Sequence, residues 1–226
     1  MNKQSRLWFF RATPTLVINC IFPVCFMTSC ADRGLDFGSF MRGSCQVMSV
    51  GGGKTTYGTG FCVESFDGIL TNYHVIEEGD TIYVKHYSSN KWYECENRAF
   101  SESDDLCLIK PLGQYENPFL PMRKSSAVSL GETVYTVGNI DNLGLSLGRG
   151  IVSSRYKSLS YRGKVNSFIQ TDIEIYDGCS GGPLINASGE VIGMMTFRLS
   201  LGYNSFVPGV SFAIPWETIE HFCEGF

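Results

Sequence analysis

Short apolar segments bounded by Gly, Asn, Asp or Ser follow one another along the chain after residue 40. They lie at 44–50, 57–64, 68–71, 81–87, 91–100, 106–110, 133–137, 150–154, 168–171, 183–185, 191–197 and 211–213. Many short strands at such spacing predict β-barrels or β-sandwiches. Only 216–223 has helical periodicity, with Pro215 placed to open it. The sequence therefore predicts an all-β fold followed by a short C-terminal helix.

The predicted strands fall into two halves of roughly equal size, joined by a connection at about 111–130. The composition, with 43% hydrophobic and 18% charged residues, is typical of a globular protein. The formal net charge of -4 gives no electrostatic reason to expect a nucleic-acid partner.

Residues 1–29 have the pattern of a signal peptide. A positive front, formed by Lys3, Arg6 and Arg11, precedes an apolar run at 16–27 that is too short and interrupted to span a bilayer comfortably. The segment Phe-Met-Thr-Ser-Cys at 26–30 resembles a bacterial lipobox, in which Cys30 would become the lipidated first residue. This predicts an extracytoplasmic protein, held to the membrane of a bacterial cell envelope by an N-terminal lipid anchor. An ordinary cleaved signal peptide, giving a secreted or periplasmic protein, is the alternative.

Six cysteines follow Cys30, and their spacing shows no disulfide framework, so their pairing stays open. They lack the close Cys-x-x-Cys pairs of zinc sites, and we expect neither a metal nor a cofactor. Several lie inside apolar segments, where a free cysteine acts as a small hydrophobe.

Three segments far apart in sequence carry residues for acyl transfer. An apolar strand at 68–71 runs towards His74, and Asp105, next to Asp104, stands before the apolar segment 106–110. Neither segment is specific alone. The third segment is Asp-Gly-Cys-Ser-Gly-Gly-Pro-Leu at 177–184, in which Gly178 permits the unusual backbone that turns its N–H inward. The N–H groups of Gly178 and Ser180 would then form an oxyanion hole.

The order His, Asp, Ser is that of trypsin-like enzymes, and whole phrases resemble the HtrA (or Deg) branch of that family. Its characteristic phrases are similar to Tyr-Gly-Thr-Gly-Phe at 57–61, Leu-Thr-Asn-Tyr-His-Val-Ile at 70–76, Asp-Leu-Cys-Leu-Ile-Lys at 105–110, Phe-Ile-Gln-Thr-Asp at 168–172, Gly-Cys-Ser-Gly-Gly-Pro-Leu at 178–184 and Gly-Val-Ser-Phe-Ala-Ile-Pro at 209–215. The resemblance covers about residues 44–222.

The resemblance implies a protease domain at 44–223, built of two perpendicular six-stranded barrels at about 44–115 and 125–215, with the active site between them. Ser180 would attack the scissile carbonyl while His74 takes its proton, and Asp105 would orient the imidazole. An acyl-enzyme would then be hydrolysed. Asp105 is preferred to Asp104 because it directly precedes the apolar strand. The predicted function is that of a serine endopeptidase acting on polypeptides, in extracytoplasmic protein processing or quality control.

Two departures from the HtrA pattern affect regulation. HtrA enzymes usually carry a PDZ module after the protease, and since the sequence stops at Phe226 we expect no regulation of that kind. Cys179 stands where HtrA enzymes typically have Asn and trypsin has Asp, so activation by a freed N-terminal amine is not expected. Cys179 is a poor nucleophile candidate, because Asp177 would then occupy the oxyanion position that requires glycine. HtrA-like proteases are often trimers, which leaves a homo-oligomer open.

The family's register assigns Ile175, Thr196, Phe197 and Arg198 to the pocket for the residue before the cut. Ile175 and Phe197 favour a small or medium aliphatic side chain. Arg198 would favour an acidic residue if it turned inward, and otherwise would be solvated. Two rival functions stay open: a catalytically silent binding or chaperone-like protein on the same scaffold, and a specialist protease with a narrow substrate.

Overall fold

The first half of the chain folds into a closed six-stranded barrel in the order β1-β2-β3-β6-β5-β4. The computed structural model describes residues 34–64, 66–115, 118–123, 128–202 and 205–225. The strands of the first barrel are β1 (Ser44–Gly51), β2 (Lys54–Phe61), β3 (Ile69–Thr71), β4 (Thr81–His86), β5 (Tyr93–Ser101) and β6 (Leu106–Pro111).

The second half forms another closed barrel, in the order β10-β11-β12-β9-β8-β7. Its strands are β7 (Thr133–Asn139), β8 (Leu145–Tyr161), β9 (Lys164–Thr171), β10 (Pro183–Asn186), β11 (Val191–Gly202) and β12 (Ser205–Pro215). The prediction of an all-β protein with two six-stranded barrels is thereby confirmed.

Strand ends differ most from the prediction in the second barrel. The predicted strand 150–154 extends in the structure over all of β8, and 168–171 is only the end of β9. Most residues of β8 are exposed or half-buried, so this part of the sequence lacks the apolar pattern that marks a core strand. β8 and β9 instead continue as a hairpin beyond the closed part of the barrel, pairing as far as Tyr161 and Lys164.

Within the described ranges, three helices accompany the barrels: α1 (Phe37–Arg42), α2 (Tyr73–Ile76) and α3 (Trp216–Cys223). A single turn of 3-10 helix covers Ile140–Asn142. The prediction that 216–223 is the only helix was wrong, because α1 and α2 are too short to show a helical period in sequence. The C-terminal helix itself begins directly after Pro215, as predicted, and buries Trp216, Ile219 and Cys223.

Each barrel has its own apolar interior, and a further cluster joins them. The first interior includes Val47, Ile69, Val84 and Ile109, and the second includes Val134, Ile169, Leu184 and Ile192. The joining cluster contains buried side chains from both barrels and from α3: Phe61, Leu106, Tyr135, Phe168, Phe212 and Trp216. Burial of so much apolar surface holds the two barrels against each other, which sets the geometry of the cleft between them.

The predicted signal peptide and Cys30 lie outside the described residues. Among the residues that the structure describes, no helix is both long enough and apolar enough to cross a membrane.

Candidate active site

His74 and Asp105 lie on two loops of the first barrel and contact each other directly. His74 is in α2, just after β3, and Asp105 is the residue before β6. The imidazole Nδ1 is 2.7 Å from Asp105 Oδ2, and the backbone N–H of His74 donates to Asp105 Oδ1 at 2.9 Å. The Asp105 side chain is fully buried and that of His74 is 27% exposed. A carboxylate facing Nδ1 favours the tautomer with its proton there, which leaves Nε2 free to act as a base.

Asp105 is held in a left-handed backbone conformation, with φ of 57°. Its carbonyl oxygen accepts hydrogen bonds from Asn72 Nδ2 at 2.9 Å and from the Tyr73 N–H at 3.2 Å. Aspartate tolerates this conformation better than most residues, and such strain persists only where the surroundings impose it. The neighbouring Asp104 instead binds Lys164 Nζ at 2.6 Å and Ser101 Oγ at 2.8 Å. Of the two adjacent carboxylates, Asp105 is therefore the one that faces the imidazole.

Ser180 lies in a tight turn before β10 that requires glycine on both sides. Gly178 has φ of +89° and Gly181 has φ of +86°, values that side chains rarely adopt. A Cβ at Gly178 would collide with the carbonyl oxygen of Asn139, and one at Gly181 with that of Thr59. The turn therefore depends on glycine for space as well as for backbone conformation.

The peptide bond between Asp177 and Gly178 is oriented by a hydrogen bond. The Asp177 carbonyl accepts from the Asp141 N–H at 2.8 Å. Because N–H and C=O point in opposite directions across a trans peptide, the Gly178 N–H faces away from Asp141. Within the described residues, neither the Gly178 nor the Ser180 N–H donates to a protein acceptor. Both residues line a cavity of about 660 Å³ that His74 also borders, so these donors are available to a ligand.

The Ser180 hydroxyl donates to the carbonyl oxygen of Thr196 at 2.9 Å. In the part of the chain that the structure describes, it makes no hydrogen bond to His74. Both residues nevertheless line the same two cavities. The structure therefore places His74 and Ser180 at one cleft, with Asp105 buried against the imidazole and the serine hydroxyl turned towards β11.

The four predicted pocket residues all line a cavity of about 220 Å³ that His74 and Ser180 also border; they are Ile175, Thr196, Phe197 and Arg198. The Phe197 ring stacks against the rings of Tyr161 and Phe212. The walls therefore combine aromatic rings and the aliphatic Ile175 with polar and charged side chains.

Arg198 provides the one cationic group in the wall of this cavity among the described residues. Its guanidinium carbon lies 3.5 Å from the ring centroid of Phe206, and its Nη2 is 3.1 Å from Asp177 Oδ1. The side chain is 21% exposed, so it is packed into the wall rather than solvated. Asp177 itself is 86% exposed.

Sequence reasoning did not find three polar residues that hold the site together: Thr59, Asn72 and Tyr161. The Thr59 hydroxyl donates to the Gly178 carbonyl at 2.7 Å and accepts from the Asn139 N–H at 2.9 Å. Asn72 Nδ2 also lies 3.2 Å from Thr196 Oγ1. In the sequence, Thr59 stands out only as a threonine between two glycines, and Asn72 only as an asparagine two residues before His74. Neither pattern indicates a contact between the barrels.

All six described cysteines are buried. Burial raises the pKa of Cys179, and a Cβ at Gly138 would meet its Sγ. Burial, reinforced by the nearby Asp105 charge, raises the pKa of Cys107 to about 12. Protonated and enclosed thiols are weak nucleophiles, which agrees with the expectation for Cys179.

The chain is similar to known serine proteases in sequence. Residues 58–194 match the family model of a trypsin-like peptidase domain. The chain is 34% identical over 158 residues to a Chlamydia trachomatis protein named "Probable periplasmic serine endoprotease DegP-like", covering 70% of this chain and 31% of that protein. It is 36% identical over 172 residues to mouse "Serine protease HTRA4", covering 75% of this chain and 34% of that protein. The chain thus spans about a third of the length of these curated relatives.

Solved structures are similar as well. The serine endoprotease from Yersinia pestis superposes with a TM-score of 0.69 at 27% identity, covering 84% of this chain and 66% of that chain. A variant of the HtrA-type protease AlgW with a tripeptide superposes with a TM-score of 0.72 at 21% identity, covering 83% of this chain and 62% of that chain. The second likeness shows the fold alone. The resemblance to the HtrA branch seen in the sequence motifs is confirmed.

Proposed function

The chain belongs to the trypsin-like peptidase family, and on that premise we propose that it is a serine endopeptidase that hydrolyses peptide bonds through an acyl-enzyme. The observation that carries the proposal is the 2.7 Å contact between His74 and a fully buried Asp105, at a cleft that Ser180 also lines. A buried carboxylate oriented on imidazole Nδ1, beside a serine on a glycine turn, is the arrangement that makes a hydroxyl nucleophilic.

In this proposal Ser180 attacks the scissile carbonyl and His74 Nε2 takes the hydroxyl proton. The hydroxyl must first leave its hydrogen bond to Thr196, which a rotation between staggered side-chain conformations accomplishes. Catalytic hydrogen bonds often tighten only when substrate is bound. Asp105 stabilises the imidazolium that forms, and the same imidazolium then protonates the leaving amine.

The N–H groups of Gly178 and Ser180 would bind the oxyanion of the tetrahedral intermediate. Support comes from the hydrogen bond between Asp141 and Asp177, which orients the Gly178 N–H, and from the cavity that both donors line. Donors held in place before the reaction lower the barrier without reorganisation, and one of them is typically worth about a hundredfold or more in kcat.

The substrates would be polypeptides, with a small or medium aliphatic residue before the cut. Ile175 and Phe197 line the cavity beside Ser180 and support this preference. Arg198 has the Asp177 carboxylate and the Phe206 ring as neighbours, so much of its charge is already compensated. That favours the aliphatic preference over an acidic one.

We further propose that the protein works outside the cytoplasm and that Cys30 is lipidated. The name of the Chlamydia relative contains the word periplasmic, and the residues before Cys30 have the leader pattern. The test is metabolic labelling with an alkyne fatty acid in a bacterial host. Cys30→Ser is expected to lose both the label and the membrane association, whereas a fully labelled variant would contradict lipidation at this residue.

Covalent labelling with a fluorophosphonate probe tests the enzyme activity. The wild-type protein is expected to react at Ser180, and Ser180→Ala to give no label. Ser129→Ala, which removes an exposed serine elsewhere, serves as the matched control and is expected to label like the wild type. Equal labelling of Ser180→Ala would refute the nucleophile. No labelling of a folded wild-type protein, together with no cleavage of casein, would instead support the catalytically silent scaffold.

A further inference from the structure

The turn of the β8–β9 hairpin crosses from the second barrel to the loop of the first barrel that carries Asp105. Four consecutive residues of that loop accept hydrogen bonds from the hairpin. The donors and acceptors are Arg162 Nε to the Glu102 carbonyl at 2.8 Å, Asn166 Nδ2 to the Ser103 carbonyl at 2.9 Å, Lys164 Nζ to Asp104 Oδ1 at 2.6 Å, and Tyr161 Oη to Asp105 Oδ2 at 2.9 Å. Arg162 also pairs with Glu77, just after α2, and its guanidinium lies 5.4 Å from the ring centroid of Tyr73.

Tyr161 is the residue of the hairpin that donates a hydrogen bond to the Asp105 carboxylate. Its hydroxyl reaches the same carboxylate oxygen that faces His74 Nδ1, so Asp105 Oδ2 has two hydrogen-bond partners. The other oxygen, Oδ1, accepts from the His74 backbone N–H. Both oxygens of a fully buried carboxylate are therefore oriented, and one of the orienting groups comes from the opposite barrel.

We propose that Tyr161 is a positioning residue for the catalytic step: its hydroxyl holds the Asp105 carboxylate in the plane that keeps His74 aimed at the cleft. The inference rests on the serine endopeptidase function proposed above. The hairpin contacts at residues 102–104 serve to present the Tyr161 hydroxyl at the correct place. Tyr161 acts through Asp105 and not by transferring a proton to the substrate.

The chemistry of the hydroxyl suits this role. Burial, followed by the neighbouring Asp105 charge, raises the pKa of Tyr161, so the hydroxyl stays protonated and remains a donor. A hydrogen bond to a charged partner inside a protein is stronger than one between neutral groups. Leaving a buried carboxylate without one of its donors carries a correspondingly larger penalty.

The aromatic ring has a separate, structural role that the test must exclude. It stacks on Phe197 with a centroid distance of 4.7 Å and packs edge-on against Phe168 at 5.7 Å. Tyr161→Phe keeps both ring contacts and removes only the hydroxyl. Tyr156→Phe removes a hydroxyl from the same strand, at a residue that is 51% exposed, and is the matched control.

The first experiment compares kcat/KM and the NMR signal of the His74 Nδ1 proton in these variants. Tyr161→Phe is expected to lower kcat/KM about tenfold, since a hydrogen bond to a charged group is lost. The low-field Nδ1 proton resonance should move further downfield, because Oδ2 then accepts from the imidazole alone. Tyr156→Phe should change neither. A merely structural role for Tyr161 would lower the melting temperature and leave the resonance unchanged.

The second experiment is a double-mutant cycle on the rate of fluorophosphonate labelling at Ser180. If the hydroxyl acts through the carboxylate, Tyr161→Phe should have little further effect in the Asp105→Asn background. Should Tyr161→Phe not fold, Lys164→Met keeps the tyrosine and loosens the hairpin, and a loss of about two- to threefold in labelling rate is expected.

Three outcomes would overturn the inference. One is a folded Tyr161→Phe enzyme with wild-type kcat/KM, and another is a folded Tyr161→Phe enzyme with an unshifted Nδ1 proton resonance. If that variant does not fold, the third is a Lys164→Met enzyme with the wild-type labelling rate. An inactive wild type with no labelling would instead refute the serine endopeptidase proposal.

Discussion

The two barrels close in the same way but differ in how far their strands extend. The longest strand of the first barrel, β5, has 9 residues, whereas β8, β11 and β12 have 17, 12 and 11. The additional residues do not enlarge the core of the second barrel. They form the hairpin that supports the Asp105 loop and the strands that border the pocket beside Ser180. Closure of the barrel and construction of the site therefore depend on different parts of the same strands.

Each barrel also holds in place the functional residues of the other. Thr59 of the first barrel binds Gly178 of the second, and Tyr161 of the second binds Asp105 of the first. The joining apolar cluster brings the barrels together, and these polar contacts set the relative positions of the loops. Changes at such contacts should therefore affect both stability and activity, while changes inside one barrel should affect mainly stability.

The largest expected effect is that of Gly178→Ala in the second barrel. The added Cβ would collide with the Asn139 carbonyl, and the positive φ would be strained. With the proposed oxyanion donor displaced, kcat should fall about 100- to 1000-fold in a peptide-cleavage assay.

Gly113→Ala in the first barrel is the control for Gly178→Ala, since Gly113 has φ of +99° and open space around a Cβ. It should lose some stability and keep its kcat. A similar loss of kcat in both variants would show that strain alone, and not the donor, accounts for the effect.

Thr59→Val tests a contact through which the first barrel holds a loop of the second. The hydroxyl bonds both Gly178 and Asn139, so its removal should lower the free energy of unfolding by about 1–3 kcal/mol and reduce kcat as well. Urea unfolding and steady-state kinetics measure the two effects. Thr136→Val removes a buried hydroxyl that has no hydrogen-bond partner among the described residues, and it should be nearly neutral. Equal effects of the two substitutions would contradict the proposed contact.

Arg198→Met tests whether the pocket of the second barrel prefers an aliphatic or an acidic residue before the cut. Because Asp177 and Phe206 already surround the guanidinium, peptides with Val before the cut should be hydrolysed within about twofold of the wild-type rate. Peptides with Glu before the cut should lose no more than about threefold. Arg155→Met, at an exposed position of β8, is the control. A selective loss of tenfold or more with Glu would establish the acidic preference instead.

The smallest expected effect concerns the pH dependence of the Asp104–Lys164 pair between the barrels. Burial acts to raise the pKa of Asp104, but the hydrogen bonds from Lys164 and Ser101 outweigh it and hold that pKa below its usual value. The pair therefore stabilises the fold fully above about pH 4 and loses its contribution as the pH falls through the lowered folded-state pKa. Asp104→Asn should cost about 0.5 kcal/mol at pH 7 and less than that at pH 2, as measured by urea unfolding. An equal cost at both pH values would rule out an ionic origin.

The local sequence was sufficient to predict elements whose formation depends on residues adjacent in the chain. All twelve predicted segments overlap observed strands, and the glycines beside Ser180 predicted the tight turn that the structure shows. The helix after Pro215 also followed from its own pattern. By contrast, the ends of β8 and β9 were not predictable, because a hairpin that projects from the barrel buries no continuous face.

By itself, the sequence predicted His74, Asp105 and Ser180 as the catalytic residues and located the segments that form strands, since turn glycines, an apolar period and short motifs act through adjacent residues. Only the tertiary structure decided which carboxylate faces the imidazole, where the Ser180 hydroxyl points, and which groups from one barrel hold the loops of the other. Those outcomes depend on groups that are well separated in the chain: Ser180 and Thr196 are 16 residues apart, His74 and Asp105 are 31 apart, and Tyr161 and Asp105 are 56 apart. The last pair, from different barrels, meets because burial of the joining apolar cluster fixes the positions of both barrels.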